Sequence, residues 1–150
     1  MTSMKKFFMM LVCGLMAVAS VSAQVKADDI LGTYKVVQNG DNSKVAFRKN
    51  GNGYMAQVTW LENMKEKDGT PRTDKKNPDK AKRNTPSDKI VLIDKITFDE
   101  EKGEWGNGQI YDPTRGKFFK VRVSFKDAKT LKVRGSWGPI SETVYWTKIN

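Results

Sequence analysis

The sequence predicts an all-β protein, an eight-stranded antiparallel up-and-down barrel interrupted by one long loop. Three observations carry the prediction. Short segments of alternating apolar and polar residues follow one another along the chain. The breaks between them are Asn-, Asp- and Gly-rich turns. No stretch beyond residue 23 has the periodicity of a long amphipathic helix.

The first segment stands outside that pattern. Met1 to Ala23 has the parts of a secretory signal peptide: Lys5 and Lys6, an apolar run from Phe7 to Val18, and the small residues of Val21-Ser22-Ala23. The apolar run is twelve residues long, short of the roughly 20 that a membrane-spanning helix needs. Cys13 lies inside that run behind Val12, which is poor lipoprotein context. Cleavage near Ala23 would leave one domain, residues 24–150, with no transmembrane segment and a periplasmic or secreted destination.

The strands are expected at 32–37, 43–49, 53–61, 90–98, 104–111, 117–126, 130–137 and 142–149. Gln38-Asn39-Gly40-Asp41-Asn42 breaks the first pair and Asn50-Gly51-Asn52-Gly53 the second; Asn and Gly accept the positive φ of tight hairpins. Alternation is clearest in the sixth strand, where Phe119, Val121, Val123 and Phe125 oppose Phe118, Lys120, Arg122 and Ser124. Leu131 and Val133 oppose Lys132 and Arg134 in the next. Short connections without helices favour a closed barrel. At eight strands its interior is either just filled by side chains or holds one small ligand, a lipocalin-like architecture. The interruption, Glu62 to Lys89, contains three prolines and nine Lys or Arg; a loop of such length in a small domain is usually functional or mobile.

Composition narrows the chemistry. The chain has 150 residues, Lys+Arg 27, Asp+Glu 17 and no histidine. Loss of the leader removes Lys5, Lys6 and the lone cysteine, leaving 25 basic against 17 acidic residues, a net +8. Without His or Cys there is no Ser-His-Asp triad, no Cys-His pair and no imidazole-ligated metal. Asp74, Asn77 and Asp79 lack the spacing of a calcium loop, and the glycines sit in hairpins rather than ahead of a helix, so no metal or cofactor is expected. The signal peptide argues against nucleic acid as the target of the basic charge.

Two groups of residues are candidate sites. In strand 104–111, simple alternation puts Trp105, Asn107, Gln109 and Tyr111 on one face, two aromatics and two amides suited to a polar ligand. Arg134 faces outward if Leu131 and Val133 face the core, or else offers its guanidinium to an anion inside the barrel. The second group is the basic centre of the long loop, Arg72, Lys75, Lys76, Lys80, Lys82 and Arg83, suited to an anionic surface. Asp112-Pro113-Thr114-Arg115-Gly116 reads as a hairpin turn capped by Asp112.

Several of these pieces together form a pattern. Trp105, Gly108, Ile110-Tyr111-Asp112-Pro113 and Gly116-Lys117, with Asp74-x-x-Asn77-Pro78 and Leu131-Lys132-Val133-Arg134-Gly135 before Trp146, resemble the DUF2147 family of exported bacterial proteins. The chain departs from the family in having Tyr34 for a Trp, Ser136 for an aromatic and Lys148 for a closing Arg. The resemblance implies an exported domain and assigns no activity. The expected function is therefore a non-catalytic binding module for a small ligand. The alternative is an envelope-associated protein that binds anionic lipid, lipopolysaccharide or cell-wall polymer through its basic surface.

Overall fold

A computed structural model describes residues 24–150; the leader expected at 1–23 lies outside them. Eight strands, β1 (Gly32–Gln38), β2 (Asp41–Asn50), β3 (Gly53–Leu61), β4 (Val91–Asp99), β5 (Glu104–Asp112), β6 (Lys117–Asp127), β7 (Thr130–Trp137) and β8 (Ile140–Lys148), form a closed barrel in sequence order. The expected strands fall where the alternation put them. β2 and β8 each begin two residues earlier than expected, because their turns need only Asn39-Gly40 and Gly138-Pro139. Both tight turns use positive φ, at Asn39, Gly40 and Gly138.

The barrel is closed at one end and open at the other. A 3₁₀ turn, Ala27–Ile30, precedes β1 and plugs the closed end. Its own Ile30 is completely buried, as are Tyr34 and Trp105 beneath it. The Trp105 Nε1–H donates to the Ala27 carbonyl at 3.1 Å, and the Tyr34 hydroxyl donates to the Ile30 carbonyl at 2.9 Å. Phe98 and Phe125 pack on the Trp105 ring with centroids 4.8 and 5.7 Å away. Lys148, the last residue of β8, also reaches this end. Its Nζ reaches the Asp29 carbonyl at 2.9 Å and lies 6.0 Å from the Tyr34 ring, so a lysine ties the last strand to the plug.

The closed end also holds buried phenols. Burial, with the Asp28 carboxylate that accepts its hydrogen bond, pushes Tyr54 up to about 12. Burial raises Tyr34 further, aided by Asp29. Unfolded tyrosine ionises near pH 10, so their contribution to stability is intact below that pH. It is lost as the pH rises through the folded values, because the unfolded chain releases its protons first. Thermal melts should therefore hold level to about pH 9.5 and drop steeply above about pH 10; a melting temperature independent of pH across that range contradicts the assignment.

Ring closure is incomplete along its length. β1 meets β8 only at Tyr34–Lys148 and Lys35–Thr147, near the closed end. Above that point the two strands diverge, although β7 and β8 stay paired as far as Trp137–Ile140.

Candidate functional site

Between the open end and the plug lies a cavity of about 340 Å³. Its walls are the inward rows of the strands: Val36, Val45 and Val58, then Ile110, Phe119 and Val133, with Trp146 at depth. A glycine creates part of the space. Gly135 takes the inward row after Leu131 and Val133, and a Cβ there would sit 3.4 Å from the Phe119 Cβ and 3.7 Å from Ile110. Its backbone does not need the left-handed region, so its smallness matters here, not its flexibility.

The mouth is polar. Arg72 lies 3.6 Å from Asp41, and Arg115 lies 2.8 Å from Glu142 and 3.6 Å from Asp112. Ser43, Ser87 and Ser141 add hydroxyls. As the turn sequence predicts, Asp112 is a turn cap, accepting from the Thr114 amide and hydroxyl at 2.9 and 2.6 Å. Both arginines are already paired, and the ion-paired rim holds two cations against three carboxylates.

The long loop is fastened beside this mouth by a buried polar cluster. Asp74 and Asn77 are the only buried polar residues among those described. The Tyr111 hydroxyl donates to Asp74 Oδ1 at 2.7 Å and the Asn77 amide donates to Asp74 Oδ2 at 2.7 Å. The Arg83 Nε–H donates to the Asn77 carbonyl, and the Lys76 ammonium donates to the Thr114 carbonyl. Gly116, at φ 65°, completes the fastening, since any Cβ would run into the Lys76 carbonyl. The Asp-x-x-Asn-Pro and Ile-Tyr-Asp-Pro segments are thus two halves of one lock. Tyr111→Phe leaves a buried carboxylate oxygen short of a donor, a cost of about 1–3 kcal/mol. Residues 72–86 should then exchange amide hydrogens faster than in the wild type, while the barrel strands keep their protection. Unchanged loop protection would show that the lock is unimportant. Tyr111 itself holds its proton well above the usual phenol range, through burial first and then Asp74.

The four β5 residues expected to share one face do not, whereas Arg134 faces outward as expected with Leu131 and Val133 in the core. A β-bulge between Trp105 and Gly108 inserts one residue, Asn107 at φ 59°, and switches the alternation. Trp105 turns inward to the closed end, whereas Asn107 and Gln109 are exposed on the outside. Tyr111 lies under the long loop on the face of Phe118, its cross-strand partner. Arg134 is exposed, opposite Arg122, and its guanidinium reaches the Ser141 hydroxyl at 3.2 Å. Asn107, Gln109 and Arg134 border a separate hollow on the outside of β4–β7, with Trp105 contributing from behind; of the five, Tyr111 alone borders the cavity. Between Tyr145 and Trp146, the tryptophan is the inward one.

The basic loop residues divide as well. Arg72, Lys76 and Arg83 each donate to a backbone carbonyl, and Lys75 lies 3.4 Å from Glu66. Lys80 and Lys82 belong to an exposed 3₁₀ turn. Among the described residues no helix is long and apolar enough to cross a membrane, and no group of three His, Cys, Asp or Glu side chains is placed to hold a metal ion.

Alternation in β6 and β7 gives Phe119 and Val133 of the cavity wall, but neither the space at Gly135 nor the bulge in β5. The Gly106-Asn107-Gly108 triplet was the available signal, since Asn between glycines inside a strand marks a place where extended backbone is interrupted.

A ring of eight antiparallel strands, plugged at one end and opening onto an apolar cavity at the other, defines a lipocalin-like barrel. The chain belongs to the family described as an uncharacterized protein conserved in bacteria (DUF2147), which matches residues 32–148. Among solved structures, protein HP1028 from the human pathogen Helicobacter pylori, described as belonging to the lipocalin family, is similar at a TM-score of 0.66 and 23% identity over 85% of each chain. That likeness is one of fold. A comparison with curated proteins finds no match.

Proposed function

We infer that this protein is a non-catalytic carrier or receptor that holds one small amphipathic molecule, exported to the periplasm or beyond. The observation that carries the reading is the 340 Å³ cavity, apolar at depth and ringed by polar groups at its mouth. This volume lies at the lower end of the range for small-ligand sites, and the division into apolar wall and few polar groups is their usual chemistry. The lipocalin-like barrel supports it. A signal peptide in residues 1–23 supports export. The absence of His and of a mature-chain Cys supports binding over catalysis.

The ligand's apolar part would lie against Val45, Val133 and Trp146, and its polar part among the groups of the rim. This differs from the outer hollow of Asn107, Gln109 and Arg134, a separate space lined largely by charged and amide groups rather than by an apolar wall. The neutral probe N-phenyl-naphthylamine tests the cavity without invoking charge. It should bind with one-to-one stoichiometry, gain fluorescence and shift to the blue; fluorescence that never saturates would remove the reading.

Association with an anionic envelope component through the basic loop has weaker support. Arg72, Lys76 and Arg83 spend their hydrogen bonds on the protein's own carbonyls, which leaves Lys80 and Lys82 as the principal outward charges of that group.

A further inference from the structure

The barrel wall beside the cavity lacks strand pairing between β1 and β8. β1 and β8 part beyond Lys35–Thr147, and this leaves β8 residues exposed that their register turns inward. Val144 pairs with the buried Val133, and Ile140 pairs with Trp137 at the end of the same inward row. Both line the cavity, yet Val144 is 47% and Ile140 59% exposed. On the facing strand the buried Val36 and the outward Val37 also border the space. An inward-facing apolar row open to water on one side costs free energy when nothing covers it. The lips are continuous with the cavity, so the molecule that fills one reaches the other.

The mouth limits what that molecule carries at its polar end. Arg72 and Arg115 are matched by Asp41, Asp112 and Glu142 within 4 Å. A simple carboxylate there would meet three like charges and would have to break existing ion pairs. A head with both charges, or none, meets a rim that supplies both signs and hydroxyl groups.

We propose that the ligand is a long single-chain amphiphile with a zwitterionic or neutral head, whose surplus chain lies in the slit between β1 and β8. The proposal rests on the cavity reading above and names its substrate class. The head sits at the rim, the first part of the chain fills the cavity, and the rest covers Ile140 and Val144. Affinity should therefore rise with chain length beyond what an enclosed cavity admits, since each further methylene still leaves water.

The test displaces N-phenyl-naphthylamine with octanoyl- and palmitoyl-lysophosphatidylcholine below their micellar concentrations, with palmitate as the anionic control. It compares the wild type, the double variant Ile140→Asp/Val144→Asp and the variant Gly135→Leu. Circular dichroism and melting curves establish that each is folded. Wild-type protein should bind the palmitoyl form at least about tenfold more tightly than the octanoyl form or palmitate. The double variant should lose about tenfold or more for the palmitoyl form and stay within about threefold for the octanoyl form. Equal losses for both chains, no loss for either, or palmitate binding as tightly as its lysolipid would each overturn the proposal. Probe binding without any lysolipid binding would also overturn it and leave the cavity reading standing. Undiminished probe and lysolipid binding by Gly135→Leu would bring down the cavity reading itself.

Discussion

Gly135→Leu is expected to abolish ligand binding while leaving the barrel folded. Gly135 occupies the inward row of β7, where its missing side chain opens space between Phe119 and Ile110. Its first added atom meets ordinary van der Waals distances, and no positive φ opposes the change. The remaining atoms would project into the 340 Å³ cavity and occupy room that the ligand needs. Probe affinity should fall by about a hundredfold or more, because overlap in a close-packed site costs several kcal/mol. The melting temperature should stay level or rise, as cavity-filling substitutions commonly add about 0.5–2 kcal/mol. A folded variant that still binds the probe at wild-type affinity would place the ligand elsewhere.

The second large effect has the opposite character. Trp105→Ala should damage the fold without touching the binding site. Trp105 is fully buried, donates to the plug at Ala27 and packs on Phe98 and Phe125, none of which borders the cavity. Truncating a buried aromatic of this size costs about 3–5 kcal/mol, a large share of the roughly 5–15 kcal/mol that stabilises a domain. The melting temperature should fall by about 10–20 °C. At a temperature where the variant stays folded, the probe should bind within about twofold of the wild type. Probe binding lost along with normal stability would mean that Trp105 contacts ligand after all.

These two residues also mark what was legible in the sequence. Alternation in β6 and β7, with Asn-Gly turns between strands, was enough to give the eight-stranded barrel, because a strand's side-chain period is local. The inward row of β6, Phe119 to Phe125, was likewise readable. The candidate site was much less so. One inserted residue at Asn107 reverses which face every earlier side chain of β5 occupies, and that put Trp105 inside and Gln109 outside. Tyr111 looked like a ligand contact because its chemistry suits one. It does border the cavity, but its hydroxyl partner, Asp74, is 37 residues away in sequence, and no local pattern announces such a pair. Gly135 was legible only as part of a family motif, since a cavity is a property of several strands at once. Lys148 is a further case. Its ammonium reaches the Asp29 carbonyl and lies near the Tyr34 ring, a tie between the chain's two ends that alternation does not reveal.

The fastening of the long loop explains the placement of its charges. The loop turns Asp74 and Asn77 inward to meet Tyr111 and uses Lys76 and Arg83 as ties. Its basic residues therefore hold the segment against the mouth as well as facing solvent. That geometry sets Arg72 beside Asp41 at the rim, so the loop forms part of the cavity mouth.

Native mass spectrometry bears most directly on whether the barrel carries a ligand. Wild-type protein and Gly135→Leu would be recovered from the same cells without detergent and compared before and after denaturation. Wild-type protein should carry a discrete additional mass that denaturation releases, and Gly135→Leu should carry none. Bare wild-type protein, or the same adduct on both, would contradict a ligand held in the cavity.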